Sequence, residues 1–336
     1  MAGYPIDIVV PWVDGSDPAW RAERAKFRPD ANSDNDESRF REWGLFQFWF
    51  RSIEQYAPWV RKIHLITWGH LPPWLNTNHP KLHIVNHKDY MPEDCLPTFS
   101  SHSIELSMHR IPDLAEHFIY FNDDIYLNNP TSPETFFVNG VPRDSAVLGT
   151  VAIVDNFSFL PYITLNMLGC INMKFSKYRV IAKHFFQWFH PRYGADLLRN
   201  LYFLPKNCFL GFKNFHSCQP YCKKTLEEVW QAFPDELERT SHNRFRSRHD
   251  VNQYLFRWWR LLKGEFVPSK PNCRYLTLGS DPMDKFESAL EYSDCKIVCI
   301  NDDPSSCDFE AEQQKIYALL QKKFPEPSTF EIKNEV

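Results

Sequence analysis

Apolar positions in the first 140 residues come in short runs separated by polar turns. Residues 6–13, 63–67, 82–85 and 118–121 are apolar over too few positions for a helix and are bounded by turn residues, so they read as buried strands. The aromatic-rich stretch 45–56 and residues 101–110 read as helices between them. Such alternation predicts an α/β fold with a mostly parallel central sheet. Pro58 and the pair Pro72 and Pro73 mark loop entries, and residues 29–37 form a polar loop. From about residue 176 to 262 the pattern turns helical, basic and aromatic, with Tyr254, Leu255, Trp258, Leu261 and Leu262 on one stripe. Residues 273–300 look extended, and 308–324 read as a helix whose apolar face is Phe309, Ile316, Leu319, Leu320 and Phe324. The expectation is one domain, 1–336, with an α/β core from 1–150 and 270–336 and a largely helical lid or acceptor subdomain at 151–269. The last strand and helix are expected to complete the first sheet.

Three apolar runs end in acids or amides. Phe118 to Phe121 delivers Asn122, Asp123 and Asp124; Ile8 to Val10 leads to Asp14; Ile297 to Ile300 leads to Asn301, Asp302 and Asp303. Ligands of open α/β sheets sit outside the carboxyl ends of strands, so neighbouring strands would aim these groups into one crevice. Hard oxygen ligands of this kind suit Mg²⁺ or Mn²⁺ holding phosphates. Adjacent Asp123 and Asp124 also repel each other unless a cation or strong donors offset the charge. The plain alternative is an Asx turn or a helix cap.

Composition narrows the class. With 336 residues and 43% hydrophobic content, the chain can bury one large core. Aromatics reach 16%, most of them core and some available as platforms for sugars or bases, among them Trp68, Trp74 and Trp258. The net charge of -4 provides no basic field, so no nucleic-acid partner is expected. No apolar stretch is long enough to cross a bilayer and no leader pattern precedes residue 6, which predicts a cytoplasmic protein. The nine cysteines are odd in number and lack a dense spacing, and read as reduced. Cys218 and Cys222 near His216 make only a weak zinc pattern.

A histidine suits the role of general base for a hydroxyl at neutral pH, but thirteen are present and spacing alone does not select one. The run 242–250 concentrates Arg244, Arg246 and Arg248 with His242 and His249, and arginine clamps phosphate oxygens bidentately. Arg39, Arg41 and Arg51 are similar candidates, although Arg51 could pair with Glu54 on its own helix.

The stretch from Ile6 through Pro11, Trp12, Val13, Asp14 and Gly15 to Asp17 resembles the first conserved region of the Stealth proteins. These are sugar-1-phosphate transferases of bacterial capsule synthesis, and the animal lysosomal-enzyme N-acetylglucosamine-1-phosphotransferase belongs with them. A second region runs from Ser38, Arg39 and Phe40 through Arg51, Ala57, Pro58, Trp59, Trp74 and the string Leu96 to Ser101, then Glu105, His109 and Arg110, to Asn122, Asp123 and Asp124. A third resembles His216 through Phe245 and Arg246 to Asp250, and a fourth Cys299 to Asp302 followed by Phe324 to Ser328. The resemblance implies a Rossmann-like or GT-A-like nucleotide-sugar fold with a helical insertion. It implies catalytic roles for Asp14, Asp124, His216 and Arg246. Arg39, Arg51, Ser100, Ser101, Glu105, His109, Arg110, Asn122 and Asn301 fall to substrate binding, and Asp123, Asp124 and Asp302 to the metal. Leu45 and Gln47 depart from the acid and the basic residue common at those places. The chain also lacks the inserted modules with which animal members recognise proteins, which favours a saccharide acceptor.

The expected reaction is transfer of a sugar-1-phosphate from a UDP-linked sugar to a glycan hydroxyl, with Mg²⁺ or Mn²⁺ as cofactor. Peripheral association with membrane-bound capsule machinery at the inner face is the expected setting. The rivals are a glycosyltransferase that attacks the anomeric carbon and a glycan-binding subunit without turnover.

Overall fold

The computed structural model describes residues 3–27, 33–34, 40–41, 43–153, 158–302 and 309–332. Its central sheet is built from strands β1 (Ile6–Pro11), β2 (Ile63–Thr67), β3 (Leu82–Asn86) and β4 (His117–Tyr120), ordered β3-β2-β1-β4 and all parallel. The first strand stops two residues short of expectation, at Pro11, whose ring removes a ladder donor. A parallel sheet must be covered on both faces, and the alternation of side chains does this here. Val9, Ile66, Phe118 and Tyr120 join one apolar cluster, while Ile8, Val10, Leu65, Ile119 and Phe121 join the other. Helix α1 (Phe46–Tyr56) covers the second face with Phe46, Trp49, Phe50 and Ile53, spaced as one helical stripe.

Several expectations need correction. Residues 101–110 are not one helix: α2 (Ser101–Leu106) ends at Ser107, and Met108–Arg110 form a separate 3-10 turn. Within 151–269, expected to be largely helical, a strand, β6 (Gln219–Cys222), pairs antiparallel with β4 at the sheet edge. The last strand does not complete that sheet either. Strand β5 (Ile125–Leu127) follows β4 after a tight turn and pairs antiparallel with β8 (Ile297–Asn301), which lies parallel to β7 (Cys273–Thr277). A helix, Met283–Glu287, interrupts the stretch expected to be extended. The buried residues Phe286, Ala289 and Leu290 lie at helical spacing there, which overrides the strand-like composition.

The inserted region carries α3 (Leu160–Lys174), α4 (Lys177–Lys183), α5 (Phe185–Trp188), α6 (Leu197–Phe203), α7 (Lys223–Ala232) and α8 (Tyr254–Lys263). Leu255, Trp258, Leu261 and Leu262 of α8 are buried as the stripe predicted, and α9 (Phe309–Lys323) buries Ile316 and Leu320. The side chain of Phe309 lies outside the described residues, as does most of the 29–37 loop; Ser33 and Asp34 of that loop pair with Ser247 and Arg246. Among the described residues no helix is long and apolar enough to cross a membrane.

Candidate active site

The turn after β4 begins where Phe121 N–H donates to the Val9 carbonyl at 2.9 Å, and it closes when Ile125 N–H donates to the Asn122 carbonyl at 3.2 Å. Asp123 and Asp124 therefore stand at the carboxyl end of the central sheet. Because β8 runs antiparallel to β5, its own carboxyl end arrives at the start of β5, and Ile300 N–H donates to the Asp124 carbonyl at 2.9 Å. Asn301 and Asp302 thus meet Asn122, Asp123 and Asp124 across two sheets, all five lining a cleft of about 370 Å³. Arg41 closes on Asp302 at 3.0 Å.

His216 reaches the same cleft from the segment between Phe212 and β6. Its Nε2 lies 3.5 Å from Asp124 Oδ2, and the Cys299 thiol donates to that oxygen at 3.4 Å. Burial alone would lower the His216 pKa, but Asp124, with help from Glu105, outweighs it and raises the value above its usual 6.5. Burial first, then Asp124, push the Cys299 thiol well up, so it stays protonated beneath the carboxylate. The segment is held from behind. Asn214 Oδ1 accepts from Arg257 Nη1 at 2.7 Å and from Trp258 Nε1 at 3.1 Å, while Arg257 and Arg260 of α8 both reach the buried Asp144.

Arg246 enters from the opposite wall, its Nη2 donating to Ser101 Oγ at 2.7 Å. Asp250 organises this loop by accepting from the Ser247 N–H at 2.9 Å and from Asn243 Nδ2 at 2.6 Å, with His102 Nδ1 2.8 Å away. Of the three clustered arginines only Arg246 lines the cleft; Arg244 lies over the Phe27 ring and Arg248 over Phe159 and Tyr162. Glu105 lines the floor and accepts from the Tyr120 hydroxyl at 2.9 Å.

Several expected residues are elsewhere. Asp14 is at the rim, outside the cleft wall, with Oδ1 taken by the N–H and hydroxyl of Ser16 in a local turn. Arg51 is buried in a bidentate pair with Glu331, not Glu54, and ties α1 to the C-terminal segment. Ser100 is buried outside the cleft wall, at the N-cap of α2. Arg110 stacks on Trp230 and His109 packs beside the same ring, where burial, then Arg110, push its pKa down to about 4. Arg39 lies outside the described residues. Cys218 and Cys222 form no metal-holding group among the described residues, and of the three tryptophan platforms only Trp68 lines the cleft. Trp258 is fully buried and Trp74 packs on Phe46 and Phe50. Sequence reasoning missed the aromatic wall of Trp12, Trp20, Phe40 and Trp43, and also Cys299 and Tyr275, whose ring meets His216 edge-on at 5.3 Å. Tyr275 and Cys299 arrive there because β8 pairs with β5 on one side and with β7 on the other, contacts between segments far apart in the chain.

Three conserved regions of Stealth proteins match this chain, region 1 over residues 4–30, region 2 over 39–144 and region 3 over 215–256, together more than half of its length. The chain belongs to the Stealth family. The matched regions contain Asn122, Asp123, Asp124, His216 and Arg246. Among Stealth relatives, the capsular polysaccharide phosphotransferase WcwK of Streptococcus pneumoniae is 40% identical over 332 residues, 98% of each chain. The exopolysaccharide phosphotransferase cps2G of Lactiplantibacillus plantarum is 38% identical over 98% of this chain and 96% of its own. The receptor polysaccharide phosphotransferase WefC of Streptococcus gordonii is 35% identical over 97% and 99%. Among solved structures, a galactosyltransferase LgtC with donor and acceptor sugar analogues covers 96% of this chain and 98% of its own at 9% identity and a TM-score of 0.41, too distant to bear on the reaction.

Proposed function

We propose that this Stealth protein transfers a sugar-1-phosphate from a UDP-linked sugar to a saccharide hydroxyl, forming a phosphodiester in capsular or exopolysaccharide synthesis. The observation that carries the reading is the His216–Asp124 pair, 3.5 Å apart, facing Arg246 across a cleft in a chain 40% identical to a named capsular polysaccharide phosphotransferase.

In the proposed step the acceptor oxygen attacks the phosphorus that bears the sugar. Its proton passes to the His216 imidazole, whose charged form Asp124 stabilises from 3.5 Å; the bridging P–O bond breaks, and UMP leaves with the electron pair. The bond from the anomeric carbon to oxygen is untouched, so the anomeric configuration is retained. Arg246 lines the same cleft and would meet charge on the transferred phosphoryl, with Ser101 Oγ accepting from its guanidinium. The wall of Trp12, Trp43 and Trp68 offers apolar faces for a base or sugar ring.

The residues also fit a divalent cation. Asp124 Oδ1 is buried without a hydrogen-bond partner among the described residues, and Asp123, Asp302 and Asn301 add hard oxygen donors. A donor set dominated by hard carboxylate and amide oxygens favours Mg²⁺ or Mn²⁺. When bound, such an ion would neutralise the diphosphate of the donor.

The nucleotide product tests the reading. Incubation with UDP-sugars, divalent metal and a capsule-type oligosaccharide should release UMP. Release of UDP would assign glycosyl transfer instead, and no consumption of any UDP-sugar would leave a binding subunit.

A further inference from the structure

Residues 150–211 leave and rejoin the fold at one place. Leu148 pairs with Phe212 in an antiparallel bridge, and Gly149 N–H donates to the Gly211 carbonyl at 2.9 Å. Within this excursion α4, α5 and α6 are bound into one unit. Lys177 Nζ donates to the Lys206 carbonyl at 2.8 Å, the Tyr178 hydroxyl to the Pro205 carbonyl at 3.0 Å, and Asn200 Nδ2 to the Trp188 carbonyl at 2.6 Å. The inward side buries Val180, Ile181, Trp188 and Asn200.

The outward side is unusually apolar. Phe186 is 84% exposed, Tyr202 73% and Leu198 69%, and Tyr178, Phe185 and Leu201 are exposed beside them. On α6, Leu198 and Tyr202 lie one turn apart, opposite the buried Asn200. Several large apolar side chains exposed on one small unit mark an interaction surface. Charge selects the partner. Residues 160–206 carry seven Lys and Arg and one acid, Asp196, although the whole chain is negative by four charges. Asp196 is already engaged by Lys213 at 2.8 Å, and Arg179, Lys183, Arg199 and Lys206 are exposed on the unit.

We propose that this face docks on an anionic lipid bilayer, with Phe186, Leu198 and Tyr202 entering the interface and the cations meeting headgroup phosphates. Apolar side chains ringed by Lys and Arg are the combination that interfacial binding requires. A second copy of the same face would bring cations against cations, which disfavours self-association here. The excursion rejoins the fold four residues before His216, so docking at this face would hold the cleft near the membrane.

Flotation of the full-length protein with vesicles of phosphatidylglycerol and phosphatidylcholine tests the assignment. The wild type should float with mixed vesicles at low salt, release at high salt and ignore pure phosphatidylcholine. The double variant Phe186→Ser/Tyr202→Ser should lose most binding, and Lys183→Gln or Lys206→Gln should each weaken it about fivefold. The melting temperature should stay at the wild-type value in all three, which shows that they fold. No flotation of the wild type, equal binding to pure phosphatidylcholine, or binding indifferent to these variants would overturn the assignment. Concentration-dependent dimers abolished by Phe186→Ser/Tyr202→Ser would make the face a contact between copies and overturn it as well. The vesicles contain neither donor nor acceptor, so the result is independent of the proposed reaction.

Discussion

Replacement of Asp144 by Asn should lower stability and displace His216 together. Asp144 is buried and offsets two buried guanidiniums, Arg257 at 2.8 Å and Arg260 at 2.5 Å. Burial alone would raise its pKa, but Arg257 and Arg260 outweigh this and hold it below the usual carboxylate range. An amide leaves two buried cations uncompensated, a loss of about 3–5 kcal/mol for a broken buried ion pair. At an unfolding entropy of about 2.1 cal/mol/K per residue, a chain of 336 residues gains or loses about 0.7 kcal/mol for each degree of Tm. The melting temperature should therefore fall by about 4–7 °C, read by calorimetry at pH 7. The sign with pH follows from the lowered pKa. The stability supplied by the Asp144 carboxylate is complete above its unfolded value, about 3.9, and is lost as pH falls through the lower folded value. The gap between wild type and Asp144→Asn should hold constant from pH 7 to 5 and close only in strong acid. Below the melting temperature turnover should also fall, because Arg257 no longer has the counter-charge that fixes it against Asn214. A Tm change under about 1 °C, or a gap that widens as pH falls, would refute the account.

The remaining predictions concern the cleft and its supports. His216→Ala should lower kcat by roughly 10²- to 10⁴-fold with donor binding nearly unchanged, measured by nucleotide release and by calorimetric titration of the UDP-sugar. Since the neutral form accepts the proton and the His216 pKa is raised, the acid limb of kcat/KM should have its midpoint above pH 6.5, and His216→Ala should abolish that limb. Arg51→Met should cost about 3–5 kcal/mol in denaturant unfolding while kcat at low temperature stays close to wild type, because its partner is Glu331 and not a substrate phosphate. Chelation should stop turnover and Mg²⁺ or Mn²⁺ restore it; Asp123→Asn should raise the metal concentration needed for half-activity.

The local pattern of the chain carried the parallel strands, because each is a short apolar run whose alternate residues must cover the two faces of a sheet. It also carried Asn122, Asp123 and Asp124, because acids that follow such a run stand at the strand end. Resemblance, rather than spacing, singled out His216 and Arg246. The pattern failed where a residue type serves more than one purpose. Arg51 and Arg246 look alike in sequence, but one is buried against Glu331 and the other faces the cleft beside Ser101. Asp14 ends a strand as Asp124 does, yet its turn folds the carboxylate onto Ser16.

Short-range physics, then, determined the parallel strands and the striped helices α1 and α8, and placed acids at strand ends. Only the tertiary structure decided which acids meet. Asn301 and Asp302 reach Asp124 because β8 turns antiparallel to β5 in a second sheet, and that pairing also sets Cys299 beneath the carboxylate that faces His216. Such contacts join residues far apart in the chain, where no local periodicity records the partner.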